Sequence, residues 1–273
     1  MHNFELEKSL NTLLKSDSIT DYCPNGLQVQ GRQNVQKVIT GVTASLALIE
    51  QAIAHKADAI IVHHGYFWKG ENQTICHMKQ QRIKALLTHD INLYAYHLPL
   101  DVHPTLGNNA QLAARLGITN VSALNVKPEG VLMRGEFEHA IPAQELVSRV
   151  EHSLNRSPLV LGNGFTSTND DATLAQQHLQ QNQPSSELRL IKHLAWCTGG
   201  GQGYLEAAAQ AGVDAFITGE ASEQTTHIAH EYDVTFIGAG HHATERYGVQ
   251  ALGEYIQSQW ELDVSFIDLS NPV

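Results

Sequence analysis

Two stretches of this 273-residue chain carry the same pattern, and that duplication constrains the fold more than any other feature. Residues 37–64 read KVITGVTASLALIEQAIAHKADAIIVHH, and residues 193–220 read HLAWCTGGGQGYLEAAAQAGVDAFITGE. Each is a short apolar strand, a turn of Gly, Thr or Ser, an Ala-rich helix, and an A-D-A or V-D-A step into a second apolar strand. The match continues downstream, where YAYHLPLD (94–101) aligns with GAGHHATE (238–245). Both are strands running into His-x-x-x-acid, followed by a helix over 108–116 in one copy and 246–259 in the other. The offset between copies falls from 156 to 144, which leaves twelve extra residues in the first copy, within YFWKGENQTICHM.

Short continuous apolar strands such as 59–62 and 215–217, alternating with helices, predict an α/β fold. The expectation is two intertwined, duplicated α/β repeats with mostly parallel mixed sheets, the first over residues 1–125 and the second over 126–273. The first residues read as an amphipathic helix. A strand is expected over 131–137 and a helix over 142–154. The stretch 163–187 is rich in Asn, Gln, Ser and Thr and reads as a long exposed polar loop.

Folds of this class place their sites beyond the carboxyl ends of parallel strands, and the His and acidic residues of the repeat stand at those ends. His63 and His64 follow the strand 59–62; both are candidate ligands, or one of them packs. His97 ends the strand 92–96. Pro99 is expected to keep the next residues out of helix, with Asp101 either a ligand or a turn aspartate. His241 and Glu245 share a helix face if the helix begins directly after Gly240, as ligands or as a surface pair. A nitrogen and oxygen donor set of this kind suits Zn, Fe, Mn, Co or Ni, and it disfavours Ca. Five donors leave open positions on two ions, which favours catalysis over a structural role. Glu220 aligns with His64, as a supporting residue or an acid/base, and His97 is the other proton-carrying candidate. Gly199, Gly200 and Gly201 lie between strand and helix, where backbone N–H groups can hold an anion or form a tight turn. Tyr66, Trp68 and Lys69 adjoin the His pair and either line a pocket for a planar ring or cap the core.

Composition narrows the function. A net charge of −11 disfavours DNA binding, because phosphate neutralisation needs a basic face. Three widely spaced cysteines suit a reducing cytoplasm, and neither a signal-peptide pattern nor a membrane span is evident.

The motifs NGLQ (25–28), IIVHHGYFWKG, YHLPLDVHPTLGNNAQLA, AWCTGGG, DAFITGE and GHHATERYG, in this order, resemble the Nif-three-like family. Its bacterial members carry the label GTP cyclohydrolase I type 2 homolog. The resemblance spans the whole chain. It implies a dinuclear centre with two divalent metal ions on His63, His64, Asp101, His241 and Glu245, with His97 beside them, and a ring-shaped homohexamer. It also implies a metal-dependent hydrolase acting on nucleotides or nucleotide fragments. The competing expectation is a non-catalytic metal-binding hexamer that meets protein partners through the 163–187 loop.

Overall fold

The structure is a computed structural model, and it describes residues 1–163 and 189–273. The polar stretch expected as a loop therefore lies, from residue 164 onward, outside the described residues. Two compact units divide the chain. The first comprises residues 1–112 and 245–272, and the second comprises 113–244 with Val273.

The first unit holds a five-stranded sheet: β1 (Gly26–Val29), β2 (Lys37–Thr43), β3 (Ala59–His64), β4 (Asn92–Ala95) and β11 (Asp263–Phe266), in the order β1-β4-β3-β2-β11. Only the β1 edge is antiparallel. Successive side chains of a strand face opposite sides, so both faces of these apolar strands must be covered. On one face Val38, Ile61 and Tyr94 pack on Leu6 and Leu10 of α1 (Asn3–Leu14) and on Leu252 and Ile256 of the C-terminal helix. On the other face Ile39, Ile60 and Leu93 pack on Leu48 and Ile49 of α2 (Leu46–Ala54) and on Ile83 and Leu86 of α3 (His77–Thr88). After β4 come the short α4 (Leu98–Asp101) and then α5 (Asn108–Leu116).

The second unit holds a six-stranded mixed sheet. Its strands are β5 (Thr119–Ala123), β6 (Met133–Pro142), β7 (Leu159–Leu161), β8 (Leu190–Cys197), β9 (Ala215–Thr218) and β10 (Thr235–Gly238), in the order β5-β6-β8-β9-β10-β7. The parallel core β8-β9-β10 is flanked by antiparallel strands. Helix α6 (Ala143–Leu154) follows β6, one residue inside the expected span. Helix α7 (Leu205–Gln210) lies between β8 and β9 in the chain, and α8 (Glu223–Glu231) between β9 and β10.

The duplication is visible in the hydrogen bonds. In the first unit the parallel order is β2-β3-β4, and in the second it is β8-β9-β10. Asp58, before β3, accepts the N–H groups of Gln36 and Lys37 on one carboxylate oxygen, both at 2.9 Å. Asp214, before β9, accepts those of Lys192 and His193 in the same way, at 2.9 and 2.8 Å. The repeated aspartate thus ties the start of one strand to the start of the next in each copy.

Candidate metal centre

The carboxyl ends of β2, β3 and β4 carry the candidate site of the first unit. His63 and His64 are the last two residues of β3. Beyond β4, α4 is a single helical turn with His97 as its N-cap residue. The expectation that Pro99 keeps this segment out of helix is corrected: Pro99 sits in the first turn, where its missing N–H has no intrahelical partner to lose. Glu245 lies on α9 (His241–Trp260), which belongs to the first unit from Glu245 onward. That helix starts at His241, directly after Gly240, so His241 and Glu245 stand one turn apart on the same face.

Glu245 stands between the two histidines of β3. Its Oε1 is 3.4 Å from His63 Nε2, and its Oε2 is 3.2 Å from His64 Nε2. Asp101 Oδ1 approaches the same nitrogen of His63 at 3.5 Å. One carboxylate thus spans two imidazoles, and a second carboxylate joins one of them. His63, Asp101 and Glu245 offer ligand atoms within 4.8 Å of one another, and so do His63, His64 and His97. These clusters could hold a metal ion.

Each ring is turned by a second bond. His63 Nδ1 meets the carbonyl of Tyr96 at 3.0 Å, His64 Nδ1 meets Thr43 Oγ1 at 3.2 Å, and His97 Nδ1 meets Asp21 Oδ1 at 2.7 Å. With Nδ1 held, Nε2 is the nitrogen presented, which is how ligating histidines are oriented. Asp101 is held by Asn108 Nδ2 at 2.8 Å, while Asn108 Oδ1 accepts the N–H of Gly248 on α9 at 2.9 Å. Asp21 also accepts from Asn25 Nδ2 and from the N–H of Leu98, at 2.9 and 2.8 Å. Asn25 Oδ1 accepts the N–H of His97 at 2.8 Å. Nothing in the sequence pointed to Asp21, and Asn25 and Asn108 stood out only as parts of motifs, with no role at the site. The bonds that matter most for the site, Asp21 to His97 and Asn108 to Gly248, span 76 and 140 residues of chain, beyond the reach of any local pattern.

The electrostatics follow from burial and charge. Burial pushes the pKa of His63 down, but Asp101 and Glu245 outweigh it and carry the imidazole up to about 10. Burial raises the Asp101 carboxyl, and Glu245 adds to this against the pull of His63 and His97. Burial also pushes Asp21 up, yet its bonds from His97 and Asn25 hold it below the usual carboxylate range. The Cys23 thiol, close to Asp21 and His97, is pushed up to about 12 by burial, which leaves no thiolate donor there at neutral pH. His63 Nε2 is buried yet makes no hydrogen bond of normal geometry. An orphaned imidazole nitrogen aimed at two buried carboxylates is the donor set a divalent cation would satisfy.

In the second unit, Glu220 lies two residues beyond β9. Its Oε1 is 2.6 Å from His241 Nδ1, and its Oε2 accepts from Gln202 Nε2 at 3.2 Å. Glu220 therefore orients His241. The N–H of Gly199 donates to Thr244 Oγ1 at 3.0 Å, and that of Gly201 to Thr218 Oγ1 at 2.9 Å. These two donors tie the glycine loop to the first turn of α9 and to the end of β9. Tyr66 is buried, with its hydroxyl on the carbonyl of Ala44, and so caps the core.

The chain is a duplicated α/β fold with a buried His and carboxylate cluster at its strand ends, one that could hold a metal ion. The chain matches the family described as Duf34/NIF3 (NGG1p interacting factor 3) over residues 1–272, and it belongs to that family. It is 53% identical over 272 residues to a Yersinia pestis protein named GTP cyclohydrolase 1 type 2 homolog, with all of both chains covered. It also matches a solved structure of protein ybgI, described as of unknown function, with TM-score 0.87, 49% identity and full coverage of both chains. The protein TTHA1606 from Thermus thermophilus matches with TM-score 0.82 and 30% identity, again over both full chains. No helix among the described residues is long and apolar enough to cross a membrane.

Proposed function

We propose that the chain is a two-ion, metal-dependent hydrolase of nucleotides or nucleotide fragments. The observation that carries the reading is Glu245, whose two oxygens lie against the Nε2 atoms of His63 and His64. In this reading His63, Asp101 and Glu245 would hold one divalent ion, and His64 and Glu245 would hold the other, with His241, one turn earlier on α9, as a further candidate. Zn, Fe, Mn, Co and Ni all suit these donors. Bound divalent ions supply Lewis acidity, which makes hydroxide available near neutral pH.

The protein's own residues do the rest. Asp101 and Glu245 bring negative charge to a buried cluster, and Asn108 fixes the rotamer of Asp101. His97, locked by Asp21, presents its other nitrogen to the cluster and can carry a proton to or from the reacting group. Glu220 acts through His241, as a positioning residue. The name of the Yersinia pestis relative supports a guanine nucleotide among the substrates. The ring of six remains part of the proposal, with sedimentation velocity as its check.

The test is metal analysis and turnover together. Purified protein, stripped and reloaded, is expected to take up two ions per chain and to convert at least one member of a nucleotide panel resolved by HPLC. His63→Ala and Glu245→Gln should lose ions and activity. Full ion retention in both variants would sink the site, and no turnover by ion-replete protein would sink the hydrolase.

A further inference from the structure

The cluster has a closed side and an open one. The side chain of His63 is fully buried and that of Glu245 is nearly so, whereas His64 keeps 18% of its side-chain surface exposed and His97 keeps 15%. Within the first unit, the cluster meets solvent at His64 and His97. Two aromatic rings stand on that side. The ring of Trp68 lies 4.9 Å from that of His97, nearly perpendicular at 82°, and 6.0 Å from that of His64. The ring of Tyr22 lies 6.4 Å from that of His97, and the residue is 52% exposed.

Both rings are carried on fixed backbone. The carbonyl of Tyr22 accepts the N–H of Lys69 at 2.7 Å, and its own N–H donates to Asp21 at 2.6 Å. The N–H of Trp68 donates to Glu71 Oε2 at 2.9 Å, and its indole N–H donates to the carbonyl of Gly65 at 3.2 Å. Gln28 clamps the loop further, accepting from the N–H of Tyr66 at 2.7 Å and donating to its carbonyl at 3.1 Å. Between Tyr66 and Trp68, Phe67 adopts φ 66°, a left-handed conformation that a bulky residue takes only under constraint. Tyr66 already caps the core, so Trp68 is not needed for that task. The indole donor of Trp68 is used within the loop, which leaves its ring surface as what it offers. Flat rings of tryptophan and tyrosine bind other flat rings whatever their charge, which suits a protein of net charge −11 better than a basic groove would.

We infer that Trp68 and Tyr22 form the platform on which the planar heteroaromatic ring of the substrate stacks, with its reacting group toward His64 and His97. The inference rests on the two-ion reading for the chemistry that follows binding, but the stacking is measurable by itself. The probe is guanosine, with ribose and inorganic phosphate as competitors, in equilibrium dialysis against zinc-loaded full-length protein. Tyr22→Leu and Trp68→Leu are each expected to weaken guanosine about tenfold, within the range of base–aromatic stacking. Trp68→Phe should restore binding to within about threefold of wild type, since a ring remains. Ribose and phosphate should not displace the nucleoside, and the zinc content should stay unchanged. Tyr22 is exposed, so its variant stays informative if Trp68→Leu fails to fold.

Equal guanosine affinity in wild type and Tyr22→Leu would overturn the platform, as would displacement by phosphate alone. Zinc-loaded protein that binds no nucleoside would overturn it while leaving the metal reading intact. Guanosine binding that both leucine variants lose, in protein that takes up no zinc, would uphold the platform and remove the metal reading.

Discussion

Replacing Asn108 by Ala separates a structural asparagine from one that serves the ion site. Asn108 is fully buried and makes two bonds: Nδ2 donates to Asp101 Oδ1 at 2.8 Å, and Oδ1 accepts the N–H of Gly248 at 2.9 Å. Losing a hydrogen bond to a charged group costs about 1.5–3 kcal/mol, and stranding a buried N–H costs about 1–3 kcal/mol more. Metal-stripped Asn108→Ala should therefore unfold in urea with a loss of about 2.5–6 kcal/mol. In the ion-loaded state a second effect is added. Partners behind the ligands are worth about 10–100-fold in metal affinity, or roughly 1.4–2.7 kcal/mol. With a saturating ion at fixed concentration, that affinity loss emerges as extra destabilisation. The assay is paired urea melts with and without zinc, alongside competition titrations for zinc affinity. Equal destabilisation in the two states, with unchanged zinc affinity, would refute the argument that Asn108 acts through Asp101 on an ion.

Metal binding should be proton-linked. With its imidazole raised to about 10, His63 is protonated in the metal-free protein at neutral pH, and an ion must displace that proton. Apparent zinc affinity should climb about tenfold per pH unit below about 10, and calorimetric enthalpies should vary with the buffer. In the stripped protein the sign reverses for stability: a raised folded-state pKa contributes stability that is complete below the ordinary 6.5 and is lost as pH climbs through about 10. Asp58→Ala and Asp214→Ala should each cost about 2–3 kcal/mol in urea melts, because each carboxylate accepts two backbone N–H groups. Asp58→Ala should be the worse of the two, since Asp58 also holds Arg32 at 2.9 Å. Gly65→Ala should lower thermal stability and perturb guanosine binding, because a Cβ there would land on Gln28 Oε1, the clamp of the Trp68 loop.

The duplication was legible because each copy repeats its own local code: an apolar strand, a turn, an Ala-rich helix, then Asp before the next strand. Positions such as Asp58 and Asp214 recur at the same place in both copies and make the same bonds. His63, His64 and Glu245 were legible as chemistry because strand ends and helix periodicity fix where adjacent and i,i+4 side chains go. What holds them was not. Asn108 reaches Gly248 across 140 residues, and Asp21 reaches His97 across 76. No periodicity encodes such pairings. The return of β11 to pair in parallel with β2 is of the same kind, because a strand of four residues carries no mark of its partner. Pro99 misled for a different reason: proline forbids helix interiors but suits a first turn, and sequence alone did not say where the turn began.

The most direct measurement is anomalous diffraction at the zinc edge from zinc-loaded crystals of the full chain. Two peaks are expected, one coordinated by His63, Asp101 and Glu245, the other by His64, Glu245 and His241, with ligand distances of about 2.0–2.2 Å. Glu245→Gln should weaken both peaks together, because one carboxylate serves both ions. Zinc bound elsewhere, a single peak that leaves Glu245 out, or no zinc at all would contradict the two-ion reading.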